Sequence, residues 1–182
     1  MRHKTIKVNG RSIEVYDDVF TYDQKLRLYN FFRNSSYGIG WEDTNEIENS
    51  NYKYFYCNWS NEDLQNSKFF DFLKNKDFFE NLLESYISKK TVANLSYPNN
   101  VYFCHTHPQE KVLLYYGNIQ WKQEWAGETL FFDEEGKEIL YASAYVPGRV
   151  IIFDGVIPHT IRAQSSAAPH FRFSLSVFWH KK

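Results

Sequence analysis

Cysteine is nearly absent from this chain of 182 residues: Cys57 and Cys104 are the only two. Two thiols so far apart in sequence do not make the disulfide framework with which small exported domains compensate for a thin core. A reducing compartment, the cytoplasm, is the expected location. Long apolar runs are missing too. No stretch approaches the roughly 20 residues that cross a bilayer as a helix, and the opening "MRHKTIKVNG" has no apolar segment of the signal-peptide kind, so no membrane partner is expected. Excess charge is a third lack. Lys and Arg number 21 against 22 Asp and Glu, for a formal net charge of -1. The basic residues are scattered rather than gathered into a track, which argues against nucleic-acid binding driven by phosphate neutralisation. The closing "KK" and the segment "DEEGKE" at residues 133–138 read as solvated charge, the latter as a hairpin tip around Gly136. The chain has no internal repeat and no low-complexity segment.

What is abundant is aromatic surface. Phe, Tyr and Trp make up 19% of the residues within a hydrophobic content of 43%, which favours a sheet-rich interior filled by large side chains. The length suits one domain over residues 1–182, as a monomer or homodimer. Helical support is expected over residues 21–90 and a β core over 91–180. "RSIEVYDDVF" alternates as an early strand. Thr21 with Gln24 has the form of a capping box opening the helix "YDQKLRLYNFF". Phe69, Leu73, Phe78, Leu82 and Tyr86 fall at helical spacing and predict two helices parted near Asn75. From Thr91 the period becomes two. "TVANLSY", "VYFCHTH", "KVLLYYGN", "ETLFFD", "KEILYASAYV", "RVIIFDG" and "FRFSLSVFW" read as seven short strands divided by turn residues. That density implies a closed or double-sheet β architecture, with the helices bracing one sheet.

Three stretches can carry chemistry. His105 and His107, two apart on a strand, share one face at about 7 Å and can converge on one ion; two tautomer-satisfied imidazoles are the alternative. The buried run of residues 150–153, followed by the Asp154-Gly155 turn, delivers His159 to a strand mouth, where a third imidazole can complete a facial ligand set and leave other positions open. In "FRFSLSVFW", alternation sets Phe173, Leu175 and Val177 against Arg172, Ser174 and Ser176. An inward Arg172 is a costly charge unless an anion meets it, and a guanidinium suits a carboxylate.

The ordered set "HTH", "LLYYGN", "WAGETLFF", "PGRVIIFDGVIPH" and "RFSLSVF" resembles the iron(II)- and 2-oxoglutarate-dependent oxygenases of the prolyl 4-hydroxylase type, across about half the chain. The resemblance implies a double-stranded β-helix, a jelly-roll and cupin relative, with helices packed on its major sheet. It implies Fe(II), 2-oxoglutarate and O2 as cofactors, with ascorbate as reductant in an assay. The implied activity is hydroxylation of an unactivated C–H bond of a small-molecule or peptide substrate, with release of succinate and CO2. By the same likeness His105 and His159 are metal ligands, Arg172 binds the far carboxylate of the oxoacid with Ser174 beside it, and Tyr116 matches a position that bonds that carboxylate. "AGET", with Glu128, looks like the family's Gly-Gly-Glu turn and a pocket wall. The departure is at position 107, where the family has Asp and this chain has His. Three histidines, a carboxylate supplied by Glu110, or a slipped register with Gln109 in the Asp place are the alternatives. Trp121 and Trp125 are candidates for stacking on substrate near the mouth, and the loop of residues 35–54 is a candidate lid. His3, His170 and His180 are assigned to solvent. A three-His cupin-like dioxygenase that needs no oxoacid, and a non-catalytic ligand-binding jelly roll, are the competing functions.

Overall fold

The computed structural model describes residues 1–40, 55–98, 100, 103–108 and 110–182. The chain opens on a hairpin of β1 (Arg2–Val8) and β2 (Arg11–Asp17), turned by Asn9 and Gly10, both at positive φ. Asn-Gly is the strongest short hairpin signal; β2 is the expected early strand, and β1 is additional to it. Helix α1 (Tyr22–Asn34) starts at the expected capping box, in which Thr21 and Gln24 satisfy each other's backbone donors. Short strands β3 (Gly38–Ile39) and β4 (Phe55–Asn58) follow. The next segment forms three helices rather than two: α2 (Asn61–Ser67), α3 (Phe69–Leu73) and α4 (Asp77–Ser85). The break at Asn75 is where the periodicity puts it. The extra break is at Lys68, which adopts a left-handed conformation, with the buried Ser67 hydroxyl accepting from Phe69 N.

Strand β5 (Tyr86–Ser96) begins five residues earlier than Thr91. Its first half pairs with the tail of β11 (Arg172–Lys181), as far as Lys181 opposite Tyr86. Tertiary pairing thus overrides the helical spacing that had claimed Tyr86. The remaining strands are β6 (Glu110–Tyr116), β7 (Thr129–Phe132), β8 (Ile139–Ser143), β9 (Val150–Asp154) and β10 (His159–Ile161). Among the described residues they form an eight-stranded antiparallel sheet, ordered β1-β2-β9-β6-β11-β5-β4-β3, and a three-stranded sheet ordered β10-β7-β8. This is the expected double-stranded β-helix, mostly β with a helical layer. "VYFCHTH" is not a strand over its described part: residues 103–107 are extended loop with one bridge, His105 to His159. His159 in turn lies in a short strand rather than a loop.

Period two in the central strands divides the interior. Phe173, Leu175, Val177 and Trp179 of β11, with Leu113 and Tyr115 of β6, face the helices, where Leu28, Phe32, Phe69, Leu73, Phe79 and Leu82 bury against them. Phe32 sits at the centre of this layer, with its ring 5.1 Å from Trp59, 6.2 Å from Tyr115 and 5.7 Å from Phe173. The opposite face, with Val112, Leu114, Tyr116 and Phe178, meets the small sheet through Phe131 and Tyr145. Arg149 ties β2 to the start of β9. It holds both carboxylate oxygens of Asp17, at 2.7 and 2.9 Å, and donates to Ser143 Oγ and Ala144 O.

Replacing Phe32 by Ala should cost about 3–5 kcal/mol, the range for emptying a large aromatic site in a core, read as a lower urea midpoint. The Arg149 hydrogen bond holds the Asp17 carboxyl below its ordinary range. Its contribution is therefore present above the unfolded value of about 3.9 and is lost as pH falls through the lower folded value. Asp17→Asn should lower the urea midpoint at pH 7 and flatten its decline toward pH 3.

Candidate metal centre

Two backbone ladders bring the histidines together. His105 and His159 exchange N–H···O bonds at 3.0 Å each way, and His107 N donates to Gly155 O at 2.7 Å. The loop bearing the tandem histidines is thus laced to the β9–β10 connection, and three rings meet over it. Ring centroids are 4.9 Å apart for His105–His107, 4.5 Å for His105–His159 and 5.3 Å for His107–His159. One nitrogen from each ring lies within 4.8 Å of the others. Nδ1 of His105 bonds Phe103 O at 3.1 Å, and Nδ1 of His159 bonds Ile157 O at 2.8 Å. A carbonyl only accepts, so Nδ1 carries the proton in both rings and Nε2 bears the lone pair, the tautomer in which a histidine can ligate an ion. Burial, followed by the neighbouring His105 and His107, holds His159 well below the ordinary histidine range, which keeps it neutral.

Glu110 is outside the cluster. Its carboxylate is 3.9 Å from His107 Nδ1 and 2.9 Å from His180 Nε2. His180, assigned to solvent from sequence, is therefore engaged. His3 stacks on Tyr16 at the sheet edge and His170 lies edge-on to Trp125; neither joins the three. Gln109 and residues 41–54 of the supposed lid lie outside the described residues.

The histidines open on a cavity that is also lined by Ser174, Ser176 and Phe178 of β11, Lys90 and Asn94 of β5, and Thr129 and Ile161 of the small sheet. Arg172 lies behind Ser174 and is 1% exposed. Its Nε donates to Gly127 O at 2.9 Å and its Nη1 to Ser174 Oγ at 3.3 Å, whereas Nη2 has no partner among the described residues. The guanidinium carbon sits 4.6 Å from the Tyr145 ring and 5.3 Å from that of Tyr116, and those two rings stack at 4.4 Å. Burial raises both phenols above their ordinary range against the opposing pull of Arg172, so each stays protonated. Tyr116 OH donates to Thr129 Oγ1 at 2.7 Å, which leaves the Thr129 hydroxyl proton to be donated elsewhere.

Tyr145 was missed from sequence; it follows β8, in a segment with no motif to mark it. Trp121, Trp125 and Glu128 are not among the residues lining the cavity. Trp121 packs on Tyr145 at 4.7 Å and on Trp125 at 5.5 Å, which makes it a wall behind the arginine sandwich. Glu128 lies 3.9 Å from Arg162. Gly155 deserves its place by sterics: a Cβ there would come within 2.5 Å of His107 O and 2.8 Å of His107 Cβ. Gly155→Ala should push the His107 turn off the β9–β10 connection and weaken Co(II) binding at least tenfold by calorimetric titration, with little change in far-ultraviolet circular dichroism.

No family model matches the chain, and no curated protein matches it in sequence. Solved structures do match in shape. A prolyl hydroxylase from Trichoplax adhaerens, in complex with a hypoxia inducible factor oxygen degradation domain peptide fragment, aligns with TM-score 0.67 at 12% identity, over 92% of this chain and 83% of that one. A 2OG-Fe(II) oxygenase family oxidoreductase from Burkholderia pseudomallei aligns with TM-score 0.66 at 13% identity, over 92% and 85%. HygX from Streptomyces hygroscopicus, with nickel and 2-oxoglutarate bound, aligns with TM-score 0.66 at 9% identity, over 92% and 82%. The chain has the double-stranded β-helix fold of the 2-oxoglutarate-dependent oxygenases.

Proposed function

We propose that this protein is an iron(II)- and 2-oxoglutarate-dependent oxygenase, similar to the prolyl 4-hydroxylase branch, that hydroxylates an unactivated C–H bond of a small-molecule or peptide substrate. The observation that carries the reading is Arg172. A buried guanidinium nitrogen without a partner, next to a cavity onto which three imidazoles converge, fits an organic dianion that spans metal and arginine. His105, His107 and His159 would hold the metal. Arg172 and Ser174 would take the far carboxylate, with Tyr116 acting through Thr129, the hydroxyl that reaches the cavity. Bound iron and 2-oxoglutarate supply the oxidising power: O2 is consumed, the oxoacid leaves as succinate and CO2, and the substrate carbon gains a hydroxyl.

The chain's own residues do the rest. The carbonyls of Phe103 and Ile157 fix the tautomers of His105 and His159, so both rings reach the metal without first losing a proton. Gly127 O and the faces of Tyr116 and Tyr145 hold the guanidinium in place before any ligand arrives. A preset cation spares the ordering cost on binding. Val112, Leu114, Phe153 and Phe178 make the cavity wall between these poles apolar, which limits water around the reacting centre. A three-His dioxygenase that uses no oxoacid accounts for the histidines and leaves the arginine sandwich without a role, and a non-catalytic binder leaves the fixed tautomers without one.

Protein reconstituted anaerobically with Fe(II) and ascorbate should bind 2-oxoglutarate and, on admission of air, turn it over slowly to succinate. Arg172→Leu should weaken 2-oxoglutarate binding about 100-fold or more, as expected for loss of a buried charged partner, while Co(II) binding is retained. Oxoacid affinity unchanged in that variant would rule out the proposed role of Arg172 and favour the oxoacid-free reading.

A further inference from the structure

The metal-centre reading leaves Glu110 unused, and its surroundings are specific. The β6–β11 register pairs Tyr116 with Ser174, Leu114 with Ser176, Val112 with Phe178 and Glu110 with His180. Alternation puts all four pairs on the cavity face. Tyr116 and Glu110 are six residues apart on β6, about 20 Å of extended strand, so Glu110 lies at the end opposite Arg172 and takes no part in the oxoacid pocket. It lies instead beside His107. Both residues are tied to Gly155: His107 N donates to Gly155 O at 2.7 Å, and Gly155 N to Glu110 O at 2.8 Å.

The three histidines are also held differently. The group at Nδ1 of His105 and of His159 is a backbone carbonyl. Beside Nδ1 of His107 stands the Glu110 carboxylate, with Oε2 at 3.9 Å. The other oxygen, Oε1, accepts from His180 Nε2 at 2.9 Å, which pins the carboxylate with one oxygen left toward His107. Asp154, at the neighbouring strand end, is committed elsewhere, to Lys111 at 2.9 Å and Arg11 at 3.6 Å.

We propose that Glu110, clamped by His180, is the positioning residue for His107, and that it supplies from behind the ring the negative charge that a carboxylate ligand at position 107 would place on the metal. This rests on the metal-centre reading. Accepting from Nδ1–H, directly after a small side-chain rotation or through one water, Glu110 fixes the ring with Nε2 toward the ion and makes that nitrogen a stronger donor.

The test is Co(II) titration by calorimetry and by the ligand-field absorption bands, on the wild type, Glu110→Gln, Glu110→Asp and His180→Gln, and on Glu110→Gln in a His107→Asp background. Glu110→Gln should bind Co(II) about 10- to 100-fold more weakly, the usual effect of losing a partner that orients a ligand, and shift the ligand-field bands. Glu110→Asp should recover part of the affinity. His180→Gln should lose several-fold, because the carboxylate remains but is no longer held. In the His107→Asp background Glu110→Gln should change affinity less than about threefold, since the partnership with an imidazole no longer exists. Glu110→Gln within threefold of wild type would overturn the proposal, as would an equal loss in both backgrounds, the outcome expected if Glu110 were itself a ligand. A wild type that binds no Co(II) would overturn the metal-centre reading and this proposal with it, whereas a wild type that binds normally beside an unaffected Glu110→Gln overturns this proposal alone. Should Glu110→Gln fail to fold, the loss in His180→Gln decides: unchanged or tighter binding there is the contrary result.

Discussion

Everything in the interior depends on the alternation of β11. This ten-residue strand lies between β5 and β6 and bonds to both. One row of its side chains, Phe173, Leu175, Val177 and Trp179, is fully committed to the helical layer. In the other row Ser174, Ser176 and Phe178 line the cavity, and Arg172 lies behind Ser174, to which its Nη1 donates. A slip of one residue would exchange the rows, bury two serines and an arginine against phenylalanines, and take Ser174 and Ser176 out of the cavity. The aromatic packing around Phe32 therefore does more than stabilise the fold. It fixes the register that aims Arg172 inward.

Aiming it inward is expensive. Removing a guanidinium from water costs several kcal/mol. Two aromatic faces return on the order of 2 kcal/mol when desolvated, and two hydrogen bonds to neutral acceptors add about 1.5–3 kcal/mol each at most. No carboxylate stands beside Arg172 among the described residues, in contrast to Arg149, which holds Asp17 with both of its oxygens. The two buried arginines are held differently. Arg149 is closed by an acid of the same chain, whereas Nη2 of Arg172 has no hydrogen-bond partner among the described residues.

Much of this was legible in the sequence because it is local. The capping box of α1, the two faces of β11 and the buried run of β9 follow from period and side-chain chemistry, and the structure has each of them. The ordered motifs gave the fold through resemblance. What escaped was set by partners distant in sequence. Residues 86–90 read as helix until the tail of β11 pairs with them. His105 sits in a loop rather than a strand and is aligned by a single bridge to His159, 54 positions on. Tyr145 and the Glu110–His180 pair have no motif, since each acquires its role only when strands far apart in the chain become neighbours. Trp121 was readable as an exposed stacking surface, and it became a wall because Tyr145, not solvent, occupies the space in front of it.

On the proposed reading, a histidine at position 107 would move a negative charge from the ligand set to Glu110 behind the ring. With an aspartate ligand, one negative charge would lie on the metal itself. With His107 as a ligand, a dipositive ion among neutral imidazoles would meet a dianionic oxoacid, with Arg172 at one end of the β6–β11 face and Glu110 at the other. The field at the metal would differ between the two arrangements: a carboxylate behind an imidazole acts from several ångströms further away than a carboxylate ligand, where attraction falls with distance. Such an ion would be a stronger Lewis acid toward the oxoacid, and the ring of His107 would be the element through which Glu110 tempers it.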